Sequence, residues 1–440
     1  MGNFLEKRVE WIMILALKEN IKKSRLIIRK MGLVRGSKVI LHSVIKKFYF
    51  YVIPRVARLF AGNVNDNLIV FDSVSFSDNA KVLSDYILNN KNNKYKIIWF
   101  LDDIKGFKSQ ENIKFIRRTY LNGSGFKYVY SIKAFYYGLK AKYVFYTHAL
   151  SWVGAKNKDQ VIINLWHGTG YKAARVIGSE AIFDYMIVPG ELFVKSKAKF
   201  FKCDENKIIP LGYSRYDLFN NNITENTKLF LKENIGIENN QKLIIWLPTF
   251  ISDGDLLKYK NPLSYIFSGM PLIESVKQLI DLDIFCSSNN IKLLIKKHRY
   301  KHQNVPLYKH LERLNLKSLI ILSDDEFAKE QIELYDLLPF TDALISDVSS
   351  VSVDYLLLDK PVAYTVNILE DYKNTRGFVF DDPSEYMPGS HVNNLDELKI
   401  FIADVSSGVD RHRKRRNDML KIMHNKTTNY CERITDFFGI

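Results

Sequence analysis

The sequence predicts an α/β protein made of two Rossmann-like lobes, and three observations lead there. From about residue 66, short apolar runs alternate with stretches long enough for a helix, the texture of buried parallel strands joined by crossover helices. The rhythm pauses once, in the polar Asn- and Lys-rich stretch 220–241, and then resumes. With 440 residues, 47% of them hydrophobic, the chain has material for two cores rather than one.

The runs that read as strands in the first lobe are residues 67–71, 96–101, 143–147, 161–165, 185–188 and 208–211. In the second lobe they are 242–247, 292–296, 318–322, 343–345 and 362–364. The pause at 220–241 reads as a helix-containing junction, so the lobes are expected at 61–225 and 226–405. Residues 406–440 form a helical tail opened by the basic run 411–416. That run reads as a solvated helix face, with a lipid contact as the sharper alternative. Ligands of open parallel sheets bind beyond the carboxyl ends of the strands, so the loops after these strands are where chemistry is expected.

The formal net charge is +16 and the pI near 9.3, which implies attraction to a polyanion. Residues 1–60 hold fourteen Lys and Arg against Glu6, Glu10 and Glu19, so about +11 of the charge is local. Apolar runs between these charges are far shorter than the ~20 residues of a spanning helix. Cations that return every few residues do not resemble a secretory leader. The segment reads as basic amphipathic helices on an anionic membrane surface, with Trp11, Phe48, Tyr49, Phe50 and Tyr51 at headgroup level. The alternative is a basic helix packed on the protein's own surface. Nucleic acid is disfavoured as a partner, because no recognised binding module follows. Cys203, Cys286 and Cys431 are too few and too scattered for a disulfide framework or a metal spacing, which suits a reducing cytoplasm. There is no GxGxxG, Walker or zinc pattern, so neither metal nor cofactor is required by the sequence.

Three strand-end loops carry reactive residues. After the run 161–165 come Trp166, His167, Gly168, Thr169, Gly170, Tyr171 and Lys172. The glycines allow a sharp turn and close approach of a substrate, and an imidazole accepts a proton near neutral pH. A structural histidine beside a buried Trp fits those residues as well; the place at a strand end favours function. In the second lobe the run 292–296 continues into Lys297, His298 and Arg299, a cationic end suited to a pyrophosphate or simply a solvated terminus. Third, Asp347 closes a strand, and Ser349 and Ser350 fall where a helix should begin, with Asp354 a turn later. Hydroxyls and free amides at a helix start bind phosphate, although an ordinary N-cap accounts for one serine.

Together these motifs amount to a resemblance. WHGTGYK at 166–172, GYSRYD at 212–217, LPTF at 247–250, SDVSSVSVDYLLLDKPVAYT at 346–365 and RGFVFDD at 376–382 with a later PG at 388–389 are similar to the CDP-glycerol glycerophosphotransferase family, the teichoic acid primases and polymerases with relatives in capsule synthesis. FDSVSFSDNAKVLSDYIL at 71–88 resembles that family's opening pattern without its glycines and lysine.

The resemblance implies a glycosyltransferase-B type fold. It implies transfer of a polyol phosphate from CDP-glycerol or CDP-ribitol to a hydroxyl of a lipid-linked glycan or polyol-phosphate acceptor, at the cytoplasmic membrane face. It makes His167 the base on the acceptor hydroxyl and places His298 at the donor phosphates. Lys297, Arg299, Asp347, Ser349, Ser350, Asp354, Arg376 and Gly377 are then donor-binding residues, and Trp166, Gly168, Thr169, Lys172 and Arg215 acceptor-binding ones. The family's proline after the second histidine is Arg299 here, and its GTP is GTG at 168–170. An inverting nucleotide-sugar transferase of the same fold, for example one using CMP-sialic acid, is the alternative; its carboxylate base would come from residues 252–255. A homo-oligomer is compatible with the sequence.

Overall fold

The computed structural model describes residues 32, 37, 53–91, 94–118, 131–148, 150, 156–173, 182–249, 251, 253–297, 306–307, 311, 313–425 and 428–440. The expected basic segment 1–60 lies outside the described residues except for 32, 37 and 53–60.

Two parallel sheets form the framework. The first contains β1 (Asn65–Asp72), β2 (Lys96–Leu101), β3 (Ile113–Arg117), β4 (Ala141–Tyr146), β5 (Val161–Asn164), β6 (Tyr185–Ile187) and β7 (Ile208–Ile209), in the order β3-β2-β1-β4-β5-β6-β7. The second contains β8 (Lys242–Trp246), β9 (Ile291–Lys296), β10 (Leu319–Leu322), β11 (Ala343–Ser346), β12 (Val362–Thr365) and β13 (Ser390–Val392), in the order β10-β9-β8-β11-β12-β13. Each order runs outward from one strand and then reverses, at β1/β4 and at β8/β11. Such switch points open a crevice beyond the strand ends.

All eleven runs expected as strands are strands. β3 and β13 are additional, and both are edges. β3 (IKFIR) has two basic residues among its five, and β13 is three residues long, so neither shows the apolar run of a central strand. Central β8 (KLIIW), with four of its five residues buried, and β11 (ALIS), with all four, do, because helices cover both faces of such a sheet. Register in the second sheet pairs Ile244 with Leu293 and Leu344 with Val362. Its core gathers Trp246, Ile273, Leu282, Ile295, Ile345 and Phe401.

The chain divides into two compact units. Residues 1–72, 96–144 and 149–160 make the first, and residues 73–95, 145–148 and 161–440 the second. In the first, Arg118 donates to Asp72 at 3.2 Å and to Asp102 at 2.8 Å, tying together the ends of β1 and β2. Helix Ile53–Ala61 exposes Val56, Leu59 and Phe60.

In the second unit the tail forms helices Arg413–Met423 and Tyr430–Phe438. The basic run is less solvated than its sequence implies. Arg416 is 1% exposed, paired with Asp410 and Asp359, because a helix packed over Asp359 must bury one of its faces. Asp217 accepts from the amides of Tyr430 and Cys431, each at 2.8 Å, and so closes the amino end of the last helix.

Candidate active site

All residues of the site belong to the second unit. Its first component is the turn after β5. Trp166 has φ +54, a left-handed conformation that a bulky residue adopts only when its surroundings impose it. The imposing groups are side-chain amides. Asn164 Oδ1 accepts from Trp166 N at 2.8 Å. Asn79 Nδ2 donates to the carbonyls of Leu165 at 3.3 Å and Trp166 at 3.1 Å. Asn79 is fully buried, and its own carbonyl accepts from Ser214 Oγ at 2.6 Å. The SDN and GYSRYD motifs therefore act as clamps on the WHG turn.

The second component is the loop after β11, which meets this turn directly. A Cβ on Gly168 would lie 2.5 Å from Ser350 Oγ, and one on Gly170 would lie 2.9 Å from Ser350 Cα. Gly168 also has φ +145. Only glycine fits either position, because the two loops are in van der Waals contact. Asp347 is fully buried and accepts from the Thr249 amide at 2.6 Å and from its hydroxyl. Burial raises the Asp347 pKa, against which Lys172 and those hydrogen bonds act. The helix at Val351 is only five residues long before it tightens into Leu356–Leu358, so its dipole is slight. Ser350 at its start makes no side-chain capping bond, which leaves the hydroxyl for other partners.

These loops enclose a cavity of about 590 Å³. Lys172, Lys197 and Arg376 line it, together with His148, His167, Ser349 and Ser350, and no carboxylate appears in its described lining. Burial first, and Arg376 second, work against the charge on Lys172 while Asp347 supports it, and its pKa falls to about 8. Lys172 Nζ donates to Thr249 Oγ1 at 3.2 Å. Lys197 is pushed to about 8 by burial alone; its Nζ lies 4.8 Å from the Trp166 ring centroid. Arg376 Nε is buried with no hydrogen-bond acceptor among the described residues. Such a concentration of cations, with no carboxylate in the described lining, is built for a polyanion.

His167 opens onto this cavity while protein crowds its other sides. Burial, with His148 second, lowers its pKa from 6.5 to about 4, so the ring is neutral at physiological pH. Its Nδ1 is 3.3 Å from the Thr147 carbonyl. In the tautomer that donates this bond, Nε2 is the free acceptor. The ring stacks on His148, with centroids 4.7 Å apart and planes 6° apart.

Of the residues expected at the site, Trp166, His167, Gly168, Lys172, Ser349, Ser350 and Arg376 line the cavity. Others do not reach it. Arg215 and Asp354 are 2% and 0% exposed and bond each other at 2.6 Å, so neither side chain is offered to a ligand. Thr169 is buried with its hydroxyl 2.6 Å from Tyr213 OH. Gly377 supports the turn, its carbonyl accepting from Ala173 N at 3.1 Å. Asp347 acts from behind, beside Thr249 and Lys172. Lys297 is absent from the lining, and its neighbour Lys296 is paired with Asp324. His298 and Arg299 lie outside the described residues.

The structure adds residues the sequence reading missed. His148 follows β4 and was detectable by the strand-end rule alone. Asn79 stood in a motif but carried no assigned role. Lys197 and Phe200 come from helix Val194–Phe201, and nothing in the run VKSKAKFF distinguishes one lysine from the next.

A family model described as CDP-glycerol:poly(glycerophosphate) glycerophosphotransferase matches residues 55–437. The chain is 25% identical over 345 residues to the teichoic acid poly(glycerol phosphate) polymerase of Bacillus spizizenii W23, covering 72% of this chain and 78% of that protein. It is 26% identical over 275 residues to the teichoic acid ribitol-phosphate polymerase TarK of Staphylococcus aureus NCTC 8325, covering 59% of this chain. The match spans 49% of that relative, about half its length. A solved structure of the wall teichoic acid polymerase TagF has the same fold, with a TM-score of 0.64 at 18% identity over 91% of this chain and 97% of that one.

Proposed function

This chain belongs to the CDP-glycerol:poly(glycerophosphate) glycerophosphotransferase family, and from that premise we propose that it transfers glycerol phosphate or ribitol phosphate from a CDP-activated donor to a hydroxyl of a lipid-linked acceptor. CMP is the leaving group, and the product belongs to a teichoic acid or capsule-type polymer. The observation that carries this reading is the cavity itself, where a neutral imidazole faces cations and hydroxyls with no carboxylate in the described lining.

The donor pyrophosphate lies against Lys172, Arg376, Ser349 and Ser350. The acceptor hydroxyl gives its proton to His167 Nε2 as its oxygen bonds to the phosphorus next to the polyol. The bond to CMP breaks, and CMP keeps the electron pair. Catalysis consists of placing the nucleophile in line, removing its proton and stabilising charge on the phosphoryl oxygens. A base at about 4 is weak in the free enzyme, but an anionic donor beside it raises its proton affinity when both substrates are bound. A sugar transfer relying on a carboxylate base is disfavoured, because no carboxylate appears in the described lining of the cavity and Asp255 is 5% exposed; the side chain of Asp253 lies outside the described residues.

No helix among the described residues is long and apolar enough to cross a membrane. Exposed Val56, Leu59 and Phe60 beside Arg55 and Arg58 support peripheral contact with an anionic surface, at the cytoplasmic face where such an acceptor is held.

The direct test incubates the pure protein with CDP-glycerol or CDP-ribitol and a synthetic lipid-linked acceptor, and weighs the products. The expected result is a mass gain of one polyol phosphate unit or more, with matching CMP; no CMP from either donor rejects the proposal.

The pH dependence has a definite sign. His167 stays neutral down to about 4, and the two lysines lose charge as pH rises through about 8. The pH profile of kcat/KM, which reports the free enzyme, is expected to be level between these values and to fall above the upper one. An acid limb centred on 6.5, the ordinary histidine value, would contradict the assignment.

A further inference from the structure

We propose that Lys197 and His148 form a second anion-binding subsite, which holds a phosphate of the acceptor next to the hydroxyl that His167 deprotonates. The inference rests on the transfer reading above and adds the chemical class of the acceptor's reacting end.

The cations of the cavity fall into two groups. Lys172 belongs with Thr249, Asp347 and Arg376, and its Nζ lies 5.8 Å from the Tyr372 ring centroid. Lys197 belongs with Trp166 and Phe200, its Nζ lying 4.8 Å and 6.0 Å from their ring centroids. Arg376 influences the charge on Lys172 but not that on Lys197, which feels burial alone. His167 stands between the groups. Gly168 following it touches Ser350, while its ring stacks on His148 and lies 4.4 Å from that of Trp166.

If the donor phosphates occupy the Lys172 end, the nucleophile is on the Lys197 side of the same imidazole. A partly buried ammonium with no carboxylate partner among the described residues is costly to keep charged, and a ring face supplies only part of the compensation. A phosphate supplies the rest, and His148, whose Nδ1 is 2.8 Å from Thr147 Oγ1, lines the same cavity. The acceptor that fits carries a phosphate within a few bonds of its nucleophilic hydroxyl, that is, an end already bearing a polyol phosphate rather than a neutral sugar.

The test uses the full chain and two acceptors on the same lipid, one ending in glycerol phosphate and one in an unphosphorylated sugar. Lys197→Met is expected to raise KM for the phosphorylated acceptor about 10- to 100-fold, as loss of a charge-assisted bond does. KM for CDP-glycerol and for the neutral acceptor stays within about twofold, and Lys197→Arg restores most of the loss. His148→Asn, at an exposed position, acts in the same direction. Equal losses on both acceptors, or a loss confined to the donor, overturn the proposal.

A second measurement needs no turnover: calorimetric binding of glycerol 3-phosphate to protein saturated with CMP. Wild type is expected to bind it and Lys197→Met to bind it at least about tenfold more weakly. Equal binding by the two, or none by wild type, also overturns the subsite. A wild type that binds glycerol 3-phosphate but releases no CMP from either donor instead sinks the transfer reading and leaves the subsite standing.

Discussion

Replacing His167 with alanine is expected to lower kcat by about 10²- to 10⁴-fold, the usual cost of removing a positioned base, while the thermal midpoint stays close to that of wild type. The imidazole opens onto the cavity, and its hydrogen bond to the Thr147 carbonyl is long, at 3.3 Å. Little folding energy depends on it. The clamps on the turn, from Asn79 and Asn164 to the backbone of residues 165 and 166, remain in the variant. Lys172 and Arg376 also remain, so KM for the CDP donor changes little and the loss appears in kcat. Initial rates of CMP release together with a melting curve make the measurement, and added free imidazole should restore part of the rate by entering the vacated space. Turnover within about threefold of wild type would reject His167 as the base.

The parts of the fold legible in the sequence are those dictated by burial on both faces. KIIWFL, KLIIW and ALIS are apolar on both faces, so their character as buried strands follows from composition. β3 and β13 escape that logic, because an edge strand keeps one flank in water and tolerates Lys114 and Arg117 or a run of only three residues.

The site divides the same way. A histidine between glycines after an apolar strand announces itself, and the contact of Gly168 and Gly170 with Ser350 supplies the reason for the glycines. Lys197 is invisible in sequence because its helix is basic along its length; only packing sets it over Trp166. Arg215 and Asp354 mislead for the opposite reason. A motif arginine and a motif aspartate invite roles as ligand contacts, whereas folding pairs them with each other and buries both.

That pairing is the basis of the second large effect, on stability. Replacing Arg215 with methionine is expected to destabilise the fold by about 3–5 kcal/mol, the cost of breaking a buried ion pair by removing one partner. Arg215 Nη2 donates to Asp354 Oδ2 at 2.6 Å, and Nη1 donates to Asp78 Oδ1 at 2.8 Å and to the His167 carbonyl at 3.2 Å. Its guanidinium carbon lies 4.3 Å from the Tyr335 ring centroid. Without it, Asp354, at 0% exposure, keeps hydrogen bonds from Tyr216 and Tyr335 but loses its ion-pair partner among the described residues. Denaturant midpoints at constant m-value make the measurement.

Adding Asp354→Asn to the methionine variant should recover part of the loss, because a neutral amide at 354 no longer requires a buried counter-ion, so the two changes cost less together than their sum. Loss of Arg215 also releases the carbonyl of His167, so the double variant, although more stable than Arg215→Met, should still turn over more slowly than wild type. An unchanged midpoint in Arg215→Met would mean that this network adds nothing to the folded state, and full additivity of the two changes would mean that the charges do not act as a pair.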